Sequence, residues 1–328
     1  MFQVAGSAIL PRLASPNFTA IFRVSVDQES VQPMAGAYAV EEGKLVFRPS
    51  FPLQPGLTYR AVYQLAGEKA EASFTIPKPV PVSTTFVERV YPTAPAIPEN
   101  QLKFYIHFSA PMSRGDAVKR VHLIEESGKR VELPFLELDE ELWDRDFKRL
   151  TILFDPGRVK RGLLPNQEVG PPLEEGKRYV LMIDREWPDA AGVPLKEGFR
   201  KHFSVGPADR TPLDPKTWTL TLPAAGTSNP VLVDVHEPLD AALMLRFIDV
   251  TDSKGKLLKG AVSIEREETR WMFTPAQPWT AGEHALEILT TLEDLAGNKI
   301  GRAFDVDRFD RVEQSVSTDV YTLKFTIR

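Results

Sequence analysis

The sequence predicts an all-β fold, built as a row of antiparallel β-sandwich domains. One observation is that apolar runs are short, alternate with polar residues and end at Pro or Gly, which is typical of strands and turns. Another is the content of 28 prolines in 328 residues, because proline fixes φ and removes a backbone donor, so it favours turns over long helices. The third is a strand-and-turn pattern that occurs three times.

Composition restricts the functional class. A net charge of −5, with 42% hydrophobic and 26% charged residues, is that of an ordinary soluble protein. The sequence has no stripe of basic residues, which a nucleic-acid partner would require. No apolar run approaches the roughly 20 residues of a transmembrane helix. The absence of cysteine excludes disulfides and Cys-ligated metals. No signal peptide is visible at the beginning of the sequence.

Two proline-rich segments predict the domain boundaries. Pro77–Pro81 contains three prolines in five residues, which favours an extended, semi-rigid linker. Gly206–Pro215 is a second joint of this kind. We therefore predict a partial N-terminal β domain at 1–80, a sandwich with an inserted loop at 83–206, and a sandwich with a C-terminal strand at 207–328, arranged as an elongated molecule.

Three segments carry specific predictions of local structure. Phe18–Val26 is apolar and β-branched, so we expect a strand. Leu136–Asp146 is acidic and is the best candidate for a short helix. Tyr321–Ile327 alternates apolar and polar residues as a half-buried strand does. The sequence does not indicate whether this last strand completes the third domain or pairs with the first.

The repeat consists of a Phe-x-Pro triplet, a glycine that opens a strand, and a closing Phe-x-Ile/Val triplet. Its three copies are Phe47–Pro49, Gly56 and Phe74–Ile76; Phe154–Pro156, Gly176 and Phe203–Val205; and Phe273–Pro275, Gly282 and Phe304–Val306. From the proline to the glycine the distance is 7 residues in the first and third copies and 20 in the second. The second copy therefore carries 13 additional residues, and the acidic segment Leu136–Asp146 precedes them. We expect any site peculiar to this protein to lie in these two additions.

The second and third copies share two further motifs. Asp189–Gly192 (DAAG) matches Asp294–Gly297 (DLAG), and Phe108–Ser113 (FSAPMS) matches Val235–Asp240 (VHEPLD). In these motifs the chain resembles the bacterial Ig-like domains of the SbsA type, which are associated with S-layer proteins and occur in secreted and surface bacterial proteins. It departs from that pattern at Ala285, where an aromatic residue is usual.

The resemblance implies tandem Ig-like antiparallel sandwiches that serve as spacers, surface-display modules or binding modules. No catalytic residues belong to the pattern. We accordingly expect a non-catalytic, exported or surface-associated bacterial protein that acts as a structural spacer or as a binding or adhesion module. We expect an extracellular, periplasmic or cell-surface location, with any signal peptide absent from this sequence.

Calcium is the one metal that the residues suggest. Asp294, Asn298 and Asp305 lie near a turn, and Ca²⁺ prefers such hard oxygen ligands. The competing interpretation is that Asp and Asn simply suit ordinary turns, through side-chain hydrogen bonds to the backbone. A zinc protease motif at His236-Glu237 fails because position 240 is Asp rather than His.

Ligand-contact candidates lie in the second domain. Trp143 and Trp187 are tryptophans in polar loops, where they could stack on sugars, and Arg158 and Arg161 belong to the inserted segment. The alternative is that the tryptophans pack in the core. The runner-up function is accordingly a carbohydrate-binding accessory protein, or a carbohydrate-active enzyme that uses the second-domain insertion. A cell-surface protein or a glycan is the expected partner, and the oligomeric state is left open.

Overall fold

The computed structural model describes residues 2–5, 17–27, 32–65, 67–78, 81–159, 170–304 and 319–328. The chain divides into two compact units, Met1–Val82 and Ser83–Arg328. The described residues are mostly strands, and the α-helices among them are single turns: α1 Phe18–Ile21, α2 Ala117–Arg120, α3 Pro156–Val159 and α4 Ala241–Met244. Among the described residues, no helix has the length and apolar character needed to span a membrane.

The N-terminal unit consists of two three-stranded sheets around a small core. Its strands are β1 Phe2–Ala5, β2 Phe22–Val26, β3 Gly36–Glu41, β4 Lys44–Pro49, β5 Thr58–Leu65 and β6 Glu68–Thr75. The sheet orders are β1-β4-β3 and β2-β5-β6. Val24, Leu45 and Phe47 are fully buried between these sheets.

The strand expected over Phe18–Val26 is only half correct. Phe18–Ile21 forms α1, and the strand begins at Phe22. The Asn17 side chain caps this turn by accepting a hydrogen bond from the Ala20 amide at 3.3 Å. Local capping therefore outweighs the β-propensity of the sequence.

The second sandwich, residues 83–206, consists of two four-stranded sheets. Its strands are β7 Val87–Tyr91, β8 Ala96–Pro98, β9 Lys103–Phe108, β10 Val121–Glu125, β11 Leu142–Trp143, β12 Arg149–Leu153, β13 Arg178–Ile183 and β14 Phe199–Gly206. The orders are β10-β13-β14-β8 and β11-β12-β9-β7. In the core, the ring centroid of Phe104 lies 5.6 Å from that of Phe154 and 5.7 Å from that of Phe203.

The acidic segment Leu136–Asp146 is not helical, contrary to the sequence prediction. It contains the two-residue strand β11 and turns. Its carboxylates bind local donors: Glu141 accepts from the Ala117 amide and the Trp143 indole, both at 2.7 Å. Asp144 accepts from the Lys148 amide at 2.9 Å. Such side-chain bonds compete with the helical hydrogen-bond pattern and favour turns.

The third sandwich, residues 207–328, packs a four-stranded sheet against a three-stranded sheet. Its strands are β15 Thr219–Thr221, β16 Val231–Asp234, β17 Ile248–Asp252, β18 Gly260–Glu265, β19 Arg270–Pro275, β20 Gly282–Leu289 and β21 Val320–Ile327. The orders are β15-β16-β19-β18 and β17-β20-β21. Strand β21 pairs with β20 along its whole length, so the C-terminal strand completes the third sandwich.

The structure corrects the third copy of the repeat. In the first two copies the glycine amide binds the closing triplet, from Gly56 to the Ile76 carbonyl at 2.7 Å and from Gly176 to the Val205 carbonyl at 2.9 Å. In the third copy Gly282 lies opposite Ile327. The closing triplet is therefore Phe325–Ile327 and not Phe304–Val306. Phe304 lies outside any strand, and its amide donates to the Asn298 side chain at 3.0 Å.

Candidate functional site

The second and third sandwiches share a closely packed junction. Leu295 of the third sandwich lies in the hydrophobic core of the second, and its carbonyl accepts the Leu102 amide at 3.0 Å. The neighbouring Gly297 has φ of +82°, and a Cβ atom there would lie 2.3 Å from a Leu102 methyl group. The turn after Asp294 thus requires glycine both for its backbone angle and for this close approach.

A buried ion pair crosses the junction. Lys103 of β9 binds Asp240 at 2.7 Å and Glu293 at 3.0 Å, and the Tyr105 hydroxyl donates to the Asp240 carboxylate at 2.8 Å. The Asp240 side chain is only 1% exposed. Burial alone would lower the pKa of Lys103, but Asp240, Tyr105 and Glu293 outweigh it and raise that pKa. Lys103 is therefore held in its charged form, and its contacts with the two carboxylates compensate the desolvation of its ammonium group.

A second polar contact comes from the turn between β18 and β19. Glu268 is buried, and its carboxylate accepts the Thr93 amide at 2.8 Å and the Thr93 hydroxyl at 2.6 Å. Burial raises the pKa of Glu268. Arg266, Glu267 and Glu268 all have left-handed backbone angles, with φ of 51°, 57° and 62°. Three such non-glycine residues in a row are strained, so the contact with Thr93 has a backbone cost.

Asn100 provides a third contact between the two sandwiches. Its side-chain amide donates to the Asp209 carbonyl at 2.6 Å and accepts the Asp209 amide at 2.8 Å. Asn298 also donates to the Asp209 carbonyl, at 3.3 Å. The start of the third sandwich is therefore held by side-chain amides from both domains, which fixes the segment that the sequence shows only as a proline-rich joint.

Three carboxylates meet beside this joint. One oxygen from each of Asp209, Glu237 and Asp294, called here the carboxylate cluster, lies within 4.8 Å of the others. They line a cavity of about 380 Å³. Burial, followed by the charges of Asp209 and Asp294, raises the pKa of Glu237 to about 7. Burial also raises the pKa of Asp294, to about 6, although hydrogen bonds from Asn298 oppose the shift.

Two of the predicted calcium ligands therefore lie together, but within a turn. One oxygen of Asp294 accepts the Ala296 and Asn298 amides at 2.8 and 2.9 Å, and the other accepts the Asn298 side chain at 2.7 Å. Asp189 in the second sandwich accepts the Ala191 and Val193 amides in the same manner. The turn alone accounts for an aspartate at these positions. Asp305 lies outside the described residues.

The carboxylate cluster owes its third member to a difference between the two copies. Glu237 occupies the motif position at which the second sandwich has Ala110. Three carboxylates would supply three of the six to eight oxygens that Ca²⁺ takes, with carbonyls and water as the other ligands. Calcium binding stays a prediction. Comparison of the two motifs could have singled out Glu237, whereas Asp209 has no sequence signal beyond its place in the joint.

Three of the four ligand-contact candidates of the second domain, Trp143, Trp187 and Arg158, lie in the described residues and make contacts within the scaffold. Trp187 is fully buried, with its ring 5.3 Å from Phe108 and 6.0 Å from Trp143, so it presents no face for stacking on a sugar. Trp143 is half-buried, and its indole donates to Glu141 at 2.7 Å. The core alternative therefore describes Trp187 correctly, and Trp143 packs against that core.

Arg158 is likewise a buried residue. Its guanidinium donates to the Glu132, Leu133 and Gly170 carbonyls at 2.8 to 2.9 Å, which ties two loops together. Carbonyl ligands of this kind indicate a structural arginine rather than one offered to a ligand. Arg161 and most of the 13 additional residues lie outside the described part of the chain.

No protein-family model matches the chain, and no curated protein matches it. Among solved structures, the N-terminal part of the bacterial S-layer protein SbsC is similar, with 12% identity over 75% of this chain and a TM-score of 0.25. The chain spans 44% of that fragment. A titin fragment of three Ig domains, I67–I69, has 9% identity over 93% of this chain and 86% of its own, with a TM-score of 0.20.

Native alpha-2-macroglobulin from Escherichia coli, domains MG0-NIE-MG1, is also similar, with 10% identity over 74% of this chain and 71% of its own and a TM-score of 0.24. At these TM-scores the likeness carries no argument. By its own strand order the chain is an all-β protein of Ig-like sandwiches, in which the strand pairs are antiparallel except for β8 with β14.

Proposed function

We propose that the chain is a non-catalytic structural module, whose second and third sandwiches form a single stiff spacer. The supporting observation is the junction, where a buried ion pair, the Glu268 contact and the Asn100 contact all connect the two domains. Relative motion of two domains is the default expectation unless their interface is large and hydrophobic. Here Leu295 also enters the neighbouring core, which favours a fixed angle between the two sandwiches.

The stiffness can be measured by electron–electron spin distance spectroscopy on the full chain. The protein has no cysteine, so cysteines introduced at exposed Glu186 and Ser253 would be the only labelling sites. We expect one narrow distance distribution between the two labels. The double variant Asp240→Ala and Glu268→Ala should broaden it, because each substitution removes a polar contact across the junction. A broad distribution in the unsubstituted protein would contradict the proposal.

The same proposal includes an exported or surface-associated location in a bacterium, and it rests on the SbsA-type motifs shared by the second and third sandwiches. Protease treatment of intact cells that express the natural full-length gene product tests this location. We expect the protein to be cleaved while a cytoplasmic marker is protected. Protection of both proteins until the cells are lysed would rule out display at the surface.

A further inference from the structure

A basic row crosses one face of the second sandwich. Arg89 of β7, His107 of β9 and Arg149 of β12 lie directly opposite one another in the strand register. Residues opposite one another in antiparallel strands point to the same face of the sheet. Tyr91 and Tyr105 form the next row on that face, two residues further along the strands. The alternate residues of β9, such as Ile106, face the core.

This face forms one wall of a groove of about 400 Å³, and α4 of the third sandwich, with Leu245 after it, forms the other. Asp240 holds the two walls together. It caps α4 by accepting the Leu243 amide at 3.0 Å, and it accepts the Tyr105 hydroxyl from the opposite wall at 2.8 Å. Since the same carboxylate anchors both walls, the groove is formed before any ligand arrives.

The two arginines of the groove have no ion-pair partner among the described residues, although Glu88 also lines it. Within the described residues, neither Arg89 nor Arg149 has a carboxylate oxygen within 4.0 Å, and the buried Nε of Arg149 has no hydrogen-bond acceptor. The two guanidinium groups instead lie 5.7 Å from the Tyr91 ring and 5.5 Å from the Tyr105 ring. Burial and the charge of Arg149 lower the pKa of His107. Glu88 and Glu268 act on Arg89 only at longer range.

In the third sandwich, the arginine that corresponds to Arg149 is neutralised by a carboxylate. Asp234 directly precedes the VHEPLD motif, and His107 directly precedes the corresponding FSAPMS motif. Each lies opposite an arginine on the neighbouring strand. There Arg270 makes two hydrogen bonds of 2.7 Å to Asp234. In the second sandwich Arg149 faces His107 in place of a carboxylate. An external carboxylate would complete the row as Asp234 does internally.

We propose that this groove binds an acidic saccharide, with the sugar carboxylate held by Arg149 and Arg89. The planar guanidinium group matches a carboxylate in two parallel hydrogen bonds. Phe86 and Leu245, which are 40% and 48% exposed, give the rim an apolar surface for the sugar ring. Glu88 and His107 can accept hydrogen bonds from hydroxyl groups. This combination suits a hydroxylated ring better than an acidic peptide, and it goes beyond a spacer role.

The test is calorimetric titration of the full chain with trigalacturonate, the matching neutral galactose trisaccharide and a glutamate-rich peptide, at pH 7 and low salt. We expect trigalacturonate to bind at least about tenfold more tightly than the neutral sugar and the peptide. Arg149→Gln should weaken binding of trigalacturonate by at least about tenfold, because it removes the charge-assisted pair.

His107→Asp is the sharper variant, since it introduces the carboxylate that the third sandwich carries in Asp234. It should fold, and it should also lose at least about tenfold in affinity, because the new carboxylate competes for Arg149. Arg270→Gln is the matched control: it removes an arginine that already has a partner, so affinity should not change. A measured melting temperature for each variant separates loss of binding from loss of folding.

Three outcomes would overturn the proposal. One is equal affinity for the acidic and neutral trisaccharides, or no binding of either. Another is unchanged affinity for trigalacturonate in folded His107→Asp protein. The last is tighter binding of the glutamate-rich peptide, which would identify the groove as a peptide site. Because the spin-label distances do not depend on any ligand, failure here leaves the spacer proposal to be judged separately.

Discussion

Glu237 has the most clearly perturbed titration among the junction carboxylates. Its pKa in the folded protein is about 7, compared with an ordinary value of 4.5. The folded state therefore binds the Glu237 proton more tightly than the unfolded state does. The resulting stabilisation is complete below about pH 4.5 and is lost as the pH rises through about 7.

Glu237→Gln should remove this dependence. We expect the variant to match the unsubstituted protein at about pH 4 and to be more stable by about 2 kcal/mol at pH 8, since one pKa unit corresponds to about 1.4 kcal/mol and part of the shift is screened by solvent. Urea unfolding at both pH values measures the difference. Glu175→Gln, at an exposed position, is the control and should change neither value. Equal destabilisation at both pH values would refute the electrostatic explanation.

Burial favours the protonated form of these carboxylates, whereas bound calcium would favour their charged form. If the cluster binds Ca²⁺, millimolar Ca²⁺ should raise the melting temperature of chelator-treated protein at pH 7.5, because a ligand bound only by the folded state stabilises it. Glu237→Ala, which introduces the residue of the second copy, should abolish the increase. No heat of binding and no thermal shift in the unsubstituted protein would exclude calcium at this site.

At the level of elements, β21 shows what the sequence could and could not predict. The alternation of Tyr321–Ile327 predicts a half-buried strand, and the structure confirms it. Its partner, β20, lies about 40 residues away in sequence, so local patterning could not identify the pairing. A Phe-x-Val triplet occurs easily by chance, so the sequence alone does not distinguish Phe304–Val306 from Phe325–Ile327 as the closing triplet. The composition of Leu136–Asp146 favours a helix, but it does not reveal the side-chain hydrogen bonds that form turns there.

The corrected assignment predicts different costs for two phenylalanines. Phe325 is 7% exposed and belongs to the core of the third sandwich, whereas Phe304 lies outside its strands. Phe325→Ala should reduce the free energy of unfolding by about 3 to 4 kcal/mol, because it leaves a cavity in the core. Phe304→Ala should cost clearly less. Denaturant unfolding of the two variants compares these costs. The reverse order would indicate that Phe304–Val306, and not Phe325–Ile327, closes the third copy.

At the level of the whole molecule, the resemblance and the strand pattern anticipated the fold, while the junction and the groove were not anticipated. The proline-rich segment Gly206–Pro215 indicated only a boundary between domains. The contacts that fix the boundary come from positions far apart in sequence, such as Lys103 and Asp240, and each residue type is ordinary for a strand or turn. Of the two additions to the second copy, the acidic segment forms turns and β11, and most of the 13 inserted residues lie outside the described part.

Leu295 has a further consequence for the order in which the chain is made. Synthesis proceeds from the N-terminus, so the strands of the second sandwich leave the ribosome well before this residue, whose side chain belongs to their core. Until it arrives, that core has an unfilled position at one end. The core of the third sandwich is likewise incomplete until Phe325 and Ile327 have been synthesised. Both domains therefore reach their final packing only after residues of the third sandwich have been synthesised, so the two sandwiches complete their folding together.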